Sequence, residues 1–284
     1  MRRAAISVKF PAIFRTSRRG KTRLWSMSQA ELAVRGAFRR HFVGRRHTIL
    51  LGAIVLALAV RPLIGDSGLA PAVFSLALLT VLLVALLNIR VDELQGERAM
   101  LLVQRKRRNV LGWALAVLAI AERLLLLLAP SRRLYIFGAI CWLLFLAFVS
   151  WSQLRSVLKQ RAVTGETISN AISVYLLIGL TWGLLYVFIF IRHPEAFSFG
   201  AAAPPEQQHV VPIFIYFSLT TLSTIGFGDI VPASLPARYA AVAEGITGQF
   251  YLAILVARLV GMQMSQSASD GIPTARPVDG ERSR

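Results

Sequence analysis

The chain has 284 residues, 55% of them hydrophobic and 16% charged, with a mean hydropathy of +0.59. Soluble domains carry about a quarter charged residues, so the composition excludes an ordinary water-soluble globule. Thirty-two Lys and Arg against 14 Asp and Glu give a formal net charge of +18, which suits an anionic membrane face. The single cysteine, Cys141, excludes an intrachain disulfide and argues against a cysteine metal site.

Residues 1–47 are basic but lack the continuous apolar stretch of a secretory leader. Within them Ala30, Val34, Phe38 and Phe42 recur every four residues, with Arg35, Arg39 and Arg40 between. That is the pattern of a helix lying on an inner leaflet. Anionic lipid headgroups, rather than nucleic acid, are the expected partner of this tail. Six apolar runs of about bilayer length follow, at 48–64, 71–89, 110–128, 134–151, 171–191 and 239–261. A seventh, 210–225, is shorter and rich in Thr and Ser, and reads as a re-entrant segment. Residues 263–284 include Ser265, Ser267, Ser269, Gly271, Pro273 and Pro277 and read as a disordered tail.

An even number of spans puts both termini on one face. Twenty-five Lys and Arg in the connecting segments fall on that face, against Arg132, Arg133, Arg192 and Arg238 on the other. The positive-inside rule makes both termini cytoplasmic. Run 134–151 contains no Arg; Arg132, Arg133, Arg155, Lys159 and Arg161 flank it as anchors. A voltage sensor needs several cations within one span, so strong voltage gating is not expected of this chain.

The chemistry concentrates in Thr224-Ile225-Gly226-Phe227-Gly228. A hard monovalent cation wants oxygen ligands, and a site that must also release it is better built from neutral carbonyl dipoles than from carboxylates. An extended chain aims successive carbonyls at one axis by visiting φ > 0 at alternate residues, and glycine does so without steric penalty. Gly226 and Gly228 are spaced by two, as that geometry requires. The Thr224 hydroxyl adds an oxygen at the inner end. One loop supplies one carbonyl per level, whereas a large cation needs on the order of six to eight oxygens. A homotetramer with the loop on its symmetry axis is therefore expected. The preceding stretch, with Pro212 near its start, fits a half-membrane helix whose C-terminal end favours a cation.

Thr221-Leu222-Ser223-Thr224-Ile225-Gly226-Phe227-Gly228-Asp229 resembles the TxxTxGYGD signature of potassium channels, with Phe for Tyr. Residues 249–261 resemble the inner-helix ending of bacterial ion-channel-domain (two-helix pore) proteins. A transporter of that superfamily would carry several such loops per chain; this sequence has one. The resemblance implies ion binding at Thr224, Ile225, Gly226, Phe227 and Gly228, a bacterial inner-membrane location, and K+ itself as the only bound ion. It also implies that Asp229 ties the filter to an aromatic of the pore helix, for which Tyr216 is the candidate; a solvated loop aspartate is the plainer alternative. Some relatives hold that aspartate with a carboxylate six residues before the first filter glycine, where this chain has Thr220. Gly248 stands at the spacing of a gating hinge, though small residues also serve close packing.

Other expectations come from position alone. Glu244 is the only carboxylate inside the last span, and intramembrane carboxylates invite a functional reading. It is expected behind the filter, bonded to pore-helix Thr or Ser groups, or else as a structural contact between helices; Thr220, Thr221 and Ser223 are expected to support the filter with it. The charge state of Glu244 stays open. Gln249, Leu252 and Val256 share a helical face beside Gly248 and are expected to line the inner cavity, with ordinary packing as the alternative. His41, His47, His193 and His209 show no metal-ligand spacing, and no nucleophile elbow, phosphate loop or zinc motif occurs. No enzymatic activity is expected.

The expected fold is an all-α polytopic membrane protein of six transmembrane helices, with a re-entrant pore helix and selectivity filter between the fifth and sixth. The expected domains are a basic tail (1–47), a four-helix membrane domain (48–152), a cytoplasmic linker (153–168), a pore domain (169–262) and a C-terminal tail (263–284). The expected function is passive, potassium-selective conduction. A weakly selective monovalent cation channel and a non-conducting membrane scaffold with a lipid-binding tail are the alternatives.

Overall fold

The computed structural model describes residues 29–65, 70–94, 110–118, 120–122, 125, 131–160, 163–200, 203–206 and 209–270. The described residues from Val43 onward form one compact unit. The described chain is almost wholly helical: α1 (Gln29–Ile64), α2 (Ala70–Leu94), α3 (Val110–Glu122), α4 (Arg132–Lys159), α5 (Gly165–Arg192), α6 (Val210–Leu222) and α7 (Leu235–Asp270). Arg45, at φ −124° and ψ 21°, breaks α1 into two helices. The part before the break falls where the sequence places an interfacial helix; its lipid contacts lie outside the described side chains, as do residues 1–28.

Four segments are long and apolar enough to cross a membrane: Arg45–Ile64, Arg133–Lys159, Gly165–Arg192 and Leu235–Ser265. The expected second and third runs give shorter apolar helices, Ala72–Asn88 and Val110–Glu122. The second lies within α2, which continues to Leu94 and whose side chains are described over 72–88, and part of the third lies outside the described residues. The last helix overruns its expected end at 261 by more than two turns. Residues 262–270 contain neither Gly nor Pro, so nothing halts the helix before Gly271 and Pro273. The first eight residues of the expected disordered tail are thus helical; 271–284 lie outside the described residues.

Helix α5 starts at a capping box, in which Thr164 and Thr167 exchange side-chain to backbone hydrogen bonds. It then packs along α6 through Gly179 and Gly183. A Cβ on Gly183 would lie 3.1 Å from the Ile215 Cα, and one on Gly179 2.7 Å from Leu219 Cδ2. Two small residues four apart let backbones approach where lipid offers no hydrophobic drive for association. Outward of this contact, Tyr186, Phe190, Phe197, Phe199, Phe214 and Phe217 form a cluster of tilted and edge-on rings. Each such pair adds about 0.5–1.5 kcal/mol beyond its area.

The connection after α5 is anchored to the segment after α6. Strand β1 (Phe197–Ser198) pairs antiparallel with β2 (Val231–Pro232), and the Ala196 carbonyl accepts from the Ala233 and Ser234 amides. Residues 223–230 are thereby held at both ends. Half of the most apolar window of α5 is buried, but only 11% of that of α7.

Candidate functional site

Helix α6 has 13 residues, roughly 20 Å at 1.5 Å per residue, too short to span a bilayer. Pro212 sits in its first turn, where a missing N–H costs nothing. Its C-terminal carbonyls are used by the segment that follows. The Thr224 amide donates to the Thr221 carbonyl (3.0 Å), and the Ile225 and Gly226 amides both donate to the Thr220 carbonyl (2.9 and 3.2 Å). The hydroxyls of Thr220 and Thr221 donate back to the Phe217 carbonyl, and that of Ser223 to the Leu219 carbonyl. They serve the helix rather than the loop.

From Thr224 the backbone alternates. Thr224, Gly226 and Gly228 have φ of +60°, +54° and +79°, and these are the only positive values in the segment. For Thr224, a β-branched residue, that region costs on the order of 1–3 kcal/mol and is held only by surrounding structure. The three tied amides supply that hold. Residues 224–229 are exposed, and among the described residues no donor reaches the carbonyls of Thr224 to Gly228. Alternating handedness with amides tied behind leaves a file of carbonyl oxygens available to a cation.

Beside this segment, the Tyr216 ring stacks on Phe227 at 6.2 Å with an interplanar angle of 5°, and the Asp229 carboxylate is near enough to act electrostatically on its hydroxyl. Behind it, Tyr175 donates to the Leu222 carbonyl at 3.1 Å. Gly248 packs directly under that carbonyl: a Cβ there would overlap the Leu222 oxygen and come 3.0 Å from Leu222 Cδ1.

An ion-channel domain model matches residues 174–264, from within α5 to within the last two turns of α7. The potassium channel protein kcv of Paramecium bursaria Chlorella virus 1 is 34% identical over 73 residues, which cover 25% of this chain and 77% of the viral protein. The chain belongs to the potassium channel superfamily. It is therefore a channel and not an enzyme, and its apolar helices make it a multi-pass membrane protein.

Within this channel, Glu244 is fully buried, one turn before Gly248. Its Oε1 meets the Ser218 hydroxyl, and its Oε2 accepts from Tyr186 Oη at 2.6 Å. The Ser218 oxygen also sits 2.6 Å from the Gly179 carbonyl of α5. Sequence reasoning expected a pore-helix Thr or Ser hydroxyl here without naming which; the residue at that place is Ser218. It missed Tyr186 and Tyr175 altogether. Two phenols in a largely apolar span were the available signal, because a buried Tyr hydroxyl needs a partner.

Gln249, Leu252 and Val256 are exposed on α7, the last two at 39% and 57%. Phe250 and Ile254, off that face, are equally uncovered, so a single chain does not distinguish cavity from neighbouring surface. Further along, Arg258 Nη2 donates to the Leu158 and Gln160 carbonyls (2.6 and 2.8 Å) at the C-terminal end of α4. A cation is favoured at that end of the helix dipole.

Proposed function

We propose that this channel conducts K+ passively and selectively through a homotetrameric pore, with the carbonyls of Thr224, Ile225, Gly226 and Phe227 replacing the ion's water. Gly228 permits the exit turn. The observation that carries the reading is the alternation of positive φ at Thr224, Gly226 and Gly228, with the amides of Thr224, Ile225 and Gly226 tied back to α6. One chain offers one oxygen per level, and a K+-sized ion needs on the order of six to eight; four chains supply two rings of four. The sparse burial of α7 and the exposure of Ile225 and Phe227 are consistent with other copies and an ion file covering them.

In this reading α5 and α7 flank a re-entrant α6, the chain spans the membrane six times, and both termini are cytoplasmic. Gln249, Leu252 and Val256 line the inner cavity, and Tyr216 and Asp229 steady the outer mouth. No strong voltage gating is expected, since no Arg lies within 134–151. What is known by name of kcv, that it is a potassium channel protein, supports K+ as the ion. Reversal potentials of the purified channel in planar bilayers under opposed K+ and Na+ gradients test the proposal. A potential near the K+ equilibrium value is expected. A value near zero would indicate a weakly selective cation channel, and absence of current a non-conducting scaffold.

A further inference from the structure

Three short oxygen–oxygen contacts meet behind α6: Ser218 with the Gly179 carbonyl, Ser218 with Glu244 Oε1, and Tyr186 with Glu244 Oε2. Each contact of this length needs a proton between its oxygens. A serine hydroxyl brings one, a tyrosine hydroxyl brings one, and a carbonyl or an ionised carboxylate brings none. Two protons do not satisfy three contacts. The Gly179 carbonyl has no proton to bring, so Ser218 must donate to it, and the oxygen facing Glu244 then has only lone pairs to offer. The third proton must come from Glu244.

We propose that Glu244 is a neutral carboxylic acid, and that with Tyr186 and Ser218 it forms one uncharged hydrogen-bonded node that positions the pore helix behind the filter. Glu244 Oε1–H donates to Ser218 Oγ, Ser218 Oγ–H donates to the Gly179 carbonyl, and Tyr186 Oη–H donates to Glu244 Oε2. Every donor is then used. The node joins the three helices of the channel domain at one level: Gly179 and Tyr186 from α5, Ser218 from α6 and Glu244 from α7. No cation among the described residues pairs with Glu244, and a fully buried, unpaired carboxylate would be costly. Tyr186 is fixed in turn by ring contacts with Phe197, Phe217 and Trp182. All three side chains act through α6 rather than on the ion, so they are positioning residues.

The inference rests on the potassium-pore reading for its consequence but not for its chemistry, and the test separates the two. Infrared spectra of the full-length channel in lipid at pH 7 should contain a protonated-carboxyl C=O band that disappears in Glu244→Gln. Buried Glu122 makes that subtraction necessary. Tyr186→Phe keeps the ring and removes one donor, so it should shift the band without abolishing it. In K+ flux, Glu244→Gln, which retains a donor and an acceptor, should stay within about threefold of the parent. Glu244→Ala strands two buried hydroxyls and should lose about tenfold or more. A spectrum unchanged by Glu244→Gln, or a Gln variant as impaired as the Ala variant, overturns the proposal. Absence of K+ flux in the parent would sink the pore reading while leaving the infrared result to be judged alone.

Discussion

The two sides of the segment from Thr224 to Gly228 differ in how complete they are. On its back, the amides of Thr224, Ile225 and Gly226, the pore-helix hydroxyls and the Leu222 carbonyl find partners within one chain, through Thr220, Thr221, Tyr175 and the Glu244 node. On its front, residues 224–229 are exposed and the carbonyls of 224–228 have no donor. A backbone carbonyl left without a partner is costly away from water. The back therefore reads as finished scaffold, and the front as a surface whose partners come from outside the chain: ions on the axis and three more copies in the proposed assembly.

The largest expected effect comes from disturbing the front. Gly226→Ala puts a side chain at φ +54°, where an L-residue pays about 1–2 kcal/mol, and it does so once per subunit. K+ flux into liposomes should fall to the level of empty vesicles while the protein still assembles. Retained flux would break the assignment of that carbonyl file. Next comes the closest packing on the back. Gly248→Ala drives a methyl into the Leu222 carbonyl and should lower thermal stability by about 1–3 kcal/mol, whereas Gly245→Ala, with nothing within 4 Å, should cost nothing measurable. Equal effects of the two substitutions would argue that Gly248 is free to act purely as a hinge.

Smaller effects sharpen the same contrast. Tyr175→Phe removes the donor to Leu222 and should cost about 1 kcal/mol in thermal unfolding, with K+ flux retained. Arg258→Gln weakens the tie between α7 and the C-terminal end of α4, far from the filter. A loss of about 0.3–1 kcal/mol is expected, with ion selectivity unchanged. Altered selectivity would mean that the helices preceding α5 reach the filter through that contact.

Much of the segment was legible because its chemistry is local. Two glycines spaced by two announce alternating φ, and an apolar stretch too short to span announces a half-membrane helix. Thr224 escaped that logic: nothing in a threonine signals a left-handed backbone, and only the amides tied to Thr220 and Thr221 account for it. The node escaped for a different reason. Tyr186 and Ser218 lie 58 and 26 positions from Glu244, and their meeting depends on how closely Gly179 and Gly183 admit α6. The early spans were read by length alone, and the second of them lies within the longer helix α2.

The most direct test is a structure of the assembled protein with thallium in place of potassium. Ion density should lie in file on a fourfold axis, ringed by the carbonyl oxygens of Thr224 to Phe227 from four chains. Those residues found away from the axis, or their oxygens turned from it with no ion between, would contradict the pore assignment outright.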